Sequence, residues 1–132
     1  MTTTTKPEIS LAGKAALVTG GGGGIGRAVA LSLAAAGADV AIIEIIPERC
    51  DEMIALIEGM GRKALAIAAN VMDRDAVIAA VDQAAAHFGR LDILVNNAGG
   101  VTWRPFAQLH PKNWQRHIDM NLISNLAATS AA

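Results

Sequence analysis

A glycine tract followed about 20 residues later by an acid is the part of this sequence with the clearest chemical meaning. The glycines at positions 20–24 and 26 come after the apolar run Ala15–Thr19 and before apolar residues in helical spacing. Glycine allows a sharp turn and a close backbone approach, and a helix start offers unpaired N–H groups with partial positive charge. The pattern predicts a diphosphate-binding loop. Its predicted binding residues are Gly20, Gly23, Gly24, Ile25 and Gly26.

Two other interpretations of the glycine tract are weaker. A flexible linker would not need a buried strand on one side and a helix on the other, as this tract has. A phosphate loop of the nucleotidase type needs Gly-Lys-Ser/Thr at its end, whereas this loop ends Gly-Ile-Gly-Arg at residues 24–27. The βαβ context therefore favours a dinucleotide site.

Glu44 ends the second apolar run and is the predicted partner of a ribose. A carboxylate at this place accepts hydrogen bonds from a ribose 2′-hydroxyl and repels a 2′-phosphate. The next residues, Ile45 and Ile46, supply no arginine for a phosphate. The alternative is an ordinary surface carboxylate at a strand end. The sequence predicts NAD as cofactor in preference to NADP.

The elements that must hold these residues alternate between strand and helix. We expect an α/β fold, a Rossmann-type doubly wound parallel sheet, because buried apolar runs alternate with segments of helical period. Residues 11–132 are predicted to form one partial Rossmann domain behind a flexible tail, residues 1–10. The predicted strands are 15–19, 39–44, 63–68 and 91–95, and the helices cover 25–36, begin at Pro47, follow the cap Asp73, and begin at Pro111.

Composition excludes several classes of protein. Hydrophobic residues make up 52% of the chain, which is incompatible with disorder, and a net charge of −1 gives no basis for binding nucleic acid or an anionic membrane. The single cysteine, Cys50, cannot form a disulfide framework or a zinc cluster, so we expect a buried thiol and no metal. Without a signal peptide or a membrane-length apolar run, a cytoplasmic location is expected.

Three motifs in consistent order carry a family resemblance. They are Thr19-Gly20-x-x-x-Gly24-Ile25-Gly26, then Asn96-Asn97-Ala98-Gly99 after the fourth strand, then Asn121 on the last helix. Together they resemble the cofactor loop, the Asn-Asn-Ala-Gly motif and the catalytic asparagine of the classical short-chain dehydrogenase/reductase family. The resemblance implies a nicotinamide-dependent oxidoreductase acting on an alcohol or ketone.

The resemblance also implies roles for individual residues. Asn97, Ala98 and Gly99 would line the cofactor site, and Asn121 would bend its helix and hold a water of the proton relay. Asn70 stands where the family usually has an aspartate that bonds adenine, but its carbonyl oxygen can accept the same hydrogen bond. Val71 would pack on the adenine.

The family's acid/base pair, Tyr-x-x-x-Lys, and its serine have no counterpart in these 132 residues, which contain no tyrosine. We therefore expect the N-terminal cofactor-binding half alone, truncated after the fourth strand and its following helix, and inactive by itself. A non-catalytic NAD-binding module and a structural remnant are the alternatives. In the family's strand order, 3-2-1-4, the fourth strand is an exposed edge and the last helix loses its cover. A homo-oligomer or a complementing C-terminal half is the expected partner.

Overall fold

A computed structural model describes residues 9–132 as alternating strands and helices. The predicted tail falls mainly on residues 1–8, which lie outside the described part. The strands are β1 (Ala15–Thr19), β2 (Asp39–Glu44), β3 (Ala64–Ala68) and β4 (Ile93–Val95). The helices are α1 (Gly24–Ala35), α2 (Pro47–Gly59), α3 (Arg74–Phe88), α4 (Pro111–Ile118) and α5 (Ser124–Ala131).

All four strands are parallel and lie in the order β3-β2-β1-β4, which confirms the expected fold. The central strand β1 places Leu17 opposite Ala41 on one side and Leu94 on the other. Every residue of β1 is buried. Helices cover both faces of the sheet, which is why β1 and β2 have apolar residues at successive positions rather than alternating with polar ones.

Two hydrophobic clusters, one on each face, form the core. Alternate strand residues contribute to opposite clusters because successive side chains point to opposite faces. Leu17 and Ile43 pack with residues of α3 and α5, whereas Val18 and Ile42 pack with residues of α1 and α2. This arrangement is the doubly wound architecture predicted from the sequence.

Helix α1 buries a different stripe from the one its large apolar residues suggest. Ile25 is the first of the apolar residues in helical spacing after the glycine tract, but its side chain is 77% exposed. The buried residues are Gly26, Ala30 and Ala34, and the larger side chains flank them. Small residues let the helix axis approach the sheet closely, so residue size, not hydrophobicity alone, selects the inward face.

The last helix is interrupted, contrary to the prediction of one continuous helix from Pro111. A π-helical turn, Asp119–Ile123, separates α4 from α5. Such a turn breaks the regular ladder, and nearby side chains bond the main-chain carbonyls. Ser124 Oγ donates to the Met120 carbonyl at 2.6 Å, and Asn125 Nδ2 donates to the Asn121 carbonyl at 2.9 Å.

Other boundaries agree with the sequence to within one or two residues. Asp73 caps α3 as predicted, its Oδ1 accepting from the Ala76 N–H at 3.1 Å. Strand β4 begins two residues later than expected, at Ile93, and the preceding Asp92 accepts from the Ala15 N–H through its Oδ2 at 2.9 Å. Within residues 9–132, no helix has the length and apolar character to cross a membrane.

Candidate functional site

A cleft of about 470 Å³ opens at the carboxyl ends of the strands. It lies at the central strand β1, which has β2 and β3 on one side and β4 on the other. The chain after β1 continues to the β2 side, and the chain after β3 crosses to the β4 side. Open parallel sheets bind ligands at this kind of switch point. The cleft is lined by Gly20, Gly23, Ile43, Glu44, Ile45, Arg49, Ala69, Asn70, Val71, Met72, Asn97, Ala98, Gly99, Arg116 and Met120.

The glycine tract forms the turn between β1 and α1. Gly20 and Gly24 have φ values of +63° and +51°, a region that residues with a Cβ rarely occupy. A Cβ on Gly26 would collide with the Gly20 carbonyl oxygen. These positions need glycine for the turn to fold back on itself and to press the helix against the strand.

The first turn of α1 is not capped by a side chain. Gly23 is the N-cap and makes no side-chain hydrogen bond, and the first turn contains no acidic residue. Within residues 9–132, no side chain therefore caps the N-terminal amides of this 12-residue helix, and no acid in its first turn offsets the partial positive charge. This end of the helix adjoins the cleft through Gly20 and Gly23.

Glu44 lies beside this turn and is only 6% exposed. Its Oε2 accepts from the Gly22 N–H at 3.0 Å. Its Oε1 accepts from the N–H groups of Ile45 and Ile46 at 2.9 and 3.1 Å. The carboxylate is thus fixed in one orientation by three backbone donors, which disperse part of its charge.

Asn70 and Val71 follow β3 and form the neighbouring wall. Asn70 Oδ1 accepts from the Met72 N–H at 3.0 Å, so the side chain closes a local turn. The oxygen expected to accept a bond from adenine is therefore already engaged once, although a carbonyl oxygen has two lone pairs. Val71 is half-buried and packs against the core cluster beneath α3.

The segment after β4 is bonded to the end of β1 through Thr19. The Thr19 hydroxyl accepts from the Asn97 and Ala98 N–H groups at 3.0 and 2.9 Å. Asn97 Nδ2 in turn donates to the carbonyls of Thr19 and Gly20 at 3.1 and 3.3 Å. The two loops that border the cleft are held together by this set of bonds.

Asn121 lies in the π-helical turn and joins it to the loop after β4. Its Oδ1 accepts from the Gly100 N–H at 3.0 Å, and its Nδ2 donates to the Gly100 and His117 carbonyls at 2.8 and 2.9 Å. The side chain is exposed but both ends of its amide are bonded. It positions the Gly100 backbone next to the cleft without lining the cleft itself.

The structure therefore brings most of the predicted site residues together. Those on the cleft wall are Gly20, Gly23, Glu44, Asn70, Val71, Asn97, Ala98 and Gly99. Gly24 and Gly26 shape the turn between β1 and α1, whereas the Ile25 side chain is 77% exposed and does not line the cleft. Asn121 bonds Gly100, the residue after Gly99 of the cleft wall.

Sequence reasoning missed seven other residues that line the cleft: Ile43, Ile45, Arg49, Ala69, Met72, Arg116 and Met120. Arg49 is in the first turn of α2, five positions after Glu44, and only the packing of α2 beside the glycine tract brings it there. Arg116 and Met120 are four residues apart on adjoining helical segments. That spacing is a helical-face signal, but it does not reveal which neighbour the face meets.

Comparison with known proteins agrees with this geometry. Residues 14–132 match the family model of the short chain dehydrogenases. A short chain dehydrogenase/reductase of Colletotrichum higginsianum, dpchG, is 36% identical over 100% of this chain and 50% of its own length.

Two solved structures show the same fold. A short chain dehydrogenase from Burkholderia cenocepacia in complex with NADP is 46% identical, with a TM-score of 0.89, over 92% of this chain and 50% of that one. One from Mycobacterium paratuberculosis bound to NAD is 29% identical, with a TM-score of 0.88, over 93% and 50%. The chain spans about half the length of the curated relatives it matches. Because the family model matches residues 14–132, which include the sheet and the cleft, the chain belongs to the short-chain dehydrogenase family.

Proposed function

We propose that this chain is the NAD(H)-binding half of a short-chain dehydrogenase/reductase that transfers hydride between a nicotinamide and an alcohol or ketone. Residues 11–132 would form its partial Rossmann domain. The observation that carries the proposal is the uncapped N-terminus of α1 beside the fixed carboxylate of Glu44, both at one cleft. An anion-binding helix end and a ribose acceptor side by side match the two polar parts of a dinucleotide.

The residues present fit this cofactor. The cleft volume is within the range usual for small-molecule sites, and glycine at positions 20 and 23 leaves the backbone accessible. Glu44 retains about one acceptor position for a ribose hydroxyl after its three backbone bonds. When bound, the nicotinamide supplies or accepts the hydride, and the protein supplies position and electrostatics.

Each wall of the cleft takes one part of the cofactor in this proposal. Asn70 and Val71 border the adenine. Glu44 orients the neighbouring ribose and favours NAD over NADP. Ala98 and Gly99 lie along the path towards the nicotinamide. Asn121 acts through Gly100, whose backbone N–H and carbonyl it bonds, and this contact orients the loop that faces the reacting centre.

We propose that these 132 residues bind cofactor without turning over substrate. They contain no tyrosine, so no phenol is present to exchange a proton with the alcohol or ketone oxygen. General acid/base catalysis contributes about 10²- to 10⁴-fold to such reactions. Catalysis would belong to the longer protein or to an assembly with a complementing chain, as the half-length match to the relatives suggests.

Calorimetric titration with NAD⁺ tests the binding proposal. We expect saturable one-to-one binding that Glu44→Gln weakens, because the amide carries no charge and presents a donor to the backbone N–H groups that now bond Oε1 and Oε2. Glu58→Gln, which removes an exposed charge at the end of α2, is the matched control and should leave the affinity unchanged. No heat of binding at millimolar NAD⁺ would favour the structural-remnant alternative.

Catalytic measurement separates the two binding alternatives. We expect no reduction of NAD⁺ by simple alcohols with this chain alone, and activity when the C-terminal half of a homologous enzyme is added. Binding that persists without activity under both conditions would favour a non-catalytic NAD-binding module.

We further propose that the chain self-associates. Trp114, Ile118, Leu122 and Leu126 follow one another at four-residue steps and are 44%, 45%, 52% and 57% exposed. The edge strand β4 pairs only with β1 in the described sheet. Apolar stripes and open strand edges are surfaces that proteins normally cover. Sedimentation over a concentration series should show a dimer or larger assembly, which Leu122→Glu should weaken; a monomer throughout would point to a complementing half instead.

A further inference from the structure

The loop after β4 is attached to the last helical segments at three places. The side chains that attach it follow one another at steps of three and four residues: Trp114, His117 and Asn121. Their partners come in the reverse order along the loop: Phe106, Thr102 and Gly100. Side chains at these steps lie on one face of a helix. The loop therefore runs antiparallel to that face, and His117 makes the middle attachment.

His117 makes the one attachment of the three that depends on a protonation state. Its Nε2 accepts from the Thr102 N–H at 2.9 Å, and both residues are half-buried. A ring nitrogen accepts a hydrogen bond only in the neutral imidazole, whose other nitrogen then carries the proton. In the charged imidazolium both nitrogens are donors. Protonation of His117 therefore removes the acceptor for the Thr102 N–H.

The attached loop segment, residues 100–102, adjoins the cleft and borders a second cavity. Gly99 lines the cleft, and residues 100–102 line the second cavity, which has a volume of about 330 Å³. Arg116 and Met120 line both, so the two cavities are neighbours on the β4 side of β1. In the proposed binding mode the adenosine lies at Glu44 on the β2 side and the diphosphate at the glycine turn. The nicotinamide end of the dinucleotide then reaches the loop segment.

Building on the proposed function, we propose that His117 is a positioning residue for the nicotinamide end of the cofactor. In its neutral form it holds Thr102 and so fixes the loop segment between the two cavities. Asn121 holds the same segment at Gly100, and its amide does not titrate. His117 thus makes the nicotinamide end of the site sensitive to pH and leaves the adenosine end unaffected.

The charged groups around His117 are few. Arg116 precedes it on α4, Asp119 begins the adjoining π-helical turn, and Arg104 lies on the attached loop. Asp119 Oδ1 accepts from Gln115 Nε2 at 2.8 Å. None of the ion pairs within residues 9–132 includes His117. The hydrogen bond from the loop is therefore the contact of the imidazole that protonation changes most.

Calorimetric titration with NAD⁺ and ADP-ribose tests this role, because ADP-ribose lacks the nicotinamide. At about pH 8, where an ordinary imidazole is neutral, His117→Leu should weaken NAD⁺ binding by about three- to tenfold, the value of one hydrogen bond. It should change ADP-ribose binding by less than about twofold. His117→Gln should bind NAD⁺ as the parent does, because its amide oxygen can accept from the same N–H.

A pH profile separates positioning from packing. Imidazole side chains change charge between about pH 5 and pH 8, so at about pH 5.5 the NAD⁺ affinity of the parent should fall towards that of the leucine variant. The glutamine variant has no titrating group at this position and should keep its affinity. His87→Gln, which removes an exposed histidine in the last turn of α3, is the matched control and should follow the parent at both pH values. Circular dichroism checks that each variant is folded.

The results that would overturn this role are distinct. Equal losses of NAD⁺ and ADP-ribose affinity in His117→Leu would indicate a general effect on the fold. Unchanged NAD⁺ affinity in that variant would mean that the loop does not position the nicotinamide. A glutamine variant that weakens in acid as the parent does would assign the pH dependence to another group. If the parent binds neither ligand, the proposed function itself fails and this inference falls with it.

Discussion

Replacing Thr19 by valine removes the hydroxyl that holds the two cleft-bordering loops together. Thr19 is 3% exposed and ends β1. Its Oγ1 accepts from the N–H groups of Asn97 and Ala98 at 3.0 and 2.9 Å and donates to the Val95 carbonyl at 3.5 Å. Valine has nearly the same shape, so the substitution deletes the acceptor without opening a cavity.

The expected loss of stability follows from the two donors left unpaired. A buried N–H without a partner costs about 1–3 kcal/mol. Asn97 and Ala98 are only partly buried, so the lower half of that range applies to each, for a total of about 2–4 kcal/mol. With a urea dependence of about 2 kcal/mol per molar, the unfolding midpoint should fall by about 1–2 M.

Urea unfolding followed by circular dichroism measures the change. Thr19→Ser is the control, because it keeps the oxygen and loses one methyl group, at a cost of about 0.8 kcal/mol. The valine variant should therefore be less stable than the serine variant, and it should also bind NAD⁺ more weakly because the Asn97 segment is released. A valine variant as stable as the parent, or more stable than the serine variant, would refute the reasoning.

Three further experiments test other parts of the structure. Gly26→Ala should destabilise the fold and abolish NAD⁺ binding, because the added methyl collides with the Gly20 carbonyl oxygen; unchanged calorimetric binding would contradict this. Hydrogen bonds from Arg90 and from a backbone N–H hold the pKa of Asp92 well below its usual range, so its stabilisation is complete above about pH 4 and is lost as pH falls through the lowered pKa. The stability gap between the parent and Asp92→Asn should therefore narrow in acid, and a gap that stays constant in urea midpoints from about pH 7 to about pH 2 would be evidence against that role. Burial raises the pKa of the Cys50 thiol, so iodoacetamide should label it slowly in the native protein and quickly in urea; equal rates by mass spectrometry would show that the thiol is accessible.

Much of the fold could be predicted because short stretches of the sequence indicate where its strands and helices lie. The runs Ala15–Thr19 and Asp39–Glu44 are apolar without alternation, a pattern that only a strand covered on both faces requires. The cap Asp73 and the helix start Pro47 lie where local backbone chemistry places them. The order of the strands followed the family resemblance instead, because local patterns do not specify which strands pair.

The details that failed depend on packing. Ile25 has the right spacing for a buried face, but the sheet admits only the small residues Gly26, Ala30 and Ala34 at its contact with α1. The π-helical turn at Asp119–Ile123 is accompanied by side-chain bonds to carbonyls, and the bonds between Asn121 and Gly100 cross 21 residues. The helical spacing of apolar residues predicts neither the π-helical turn nor the bonds between Asn121 and Gly100.

The sequence by itself determined the strands, the helix starts, the tight glycine turn between β1 and α1 and the acid at the end of β2, since each depends on residues within one or two turns of one another. Only the tertiary structure decided how that acid is used and what stands beside it. Folding directs three backbone N–H groups onto Glu44 and brings Arg49 from the next helix over Gly23. Charge interactions and hydrogen bonds depend on the distance between groups in space. The number of residues between two groups does not fix that distance; the packing of the helices on the sheet does.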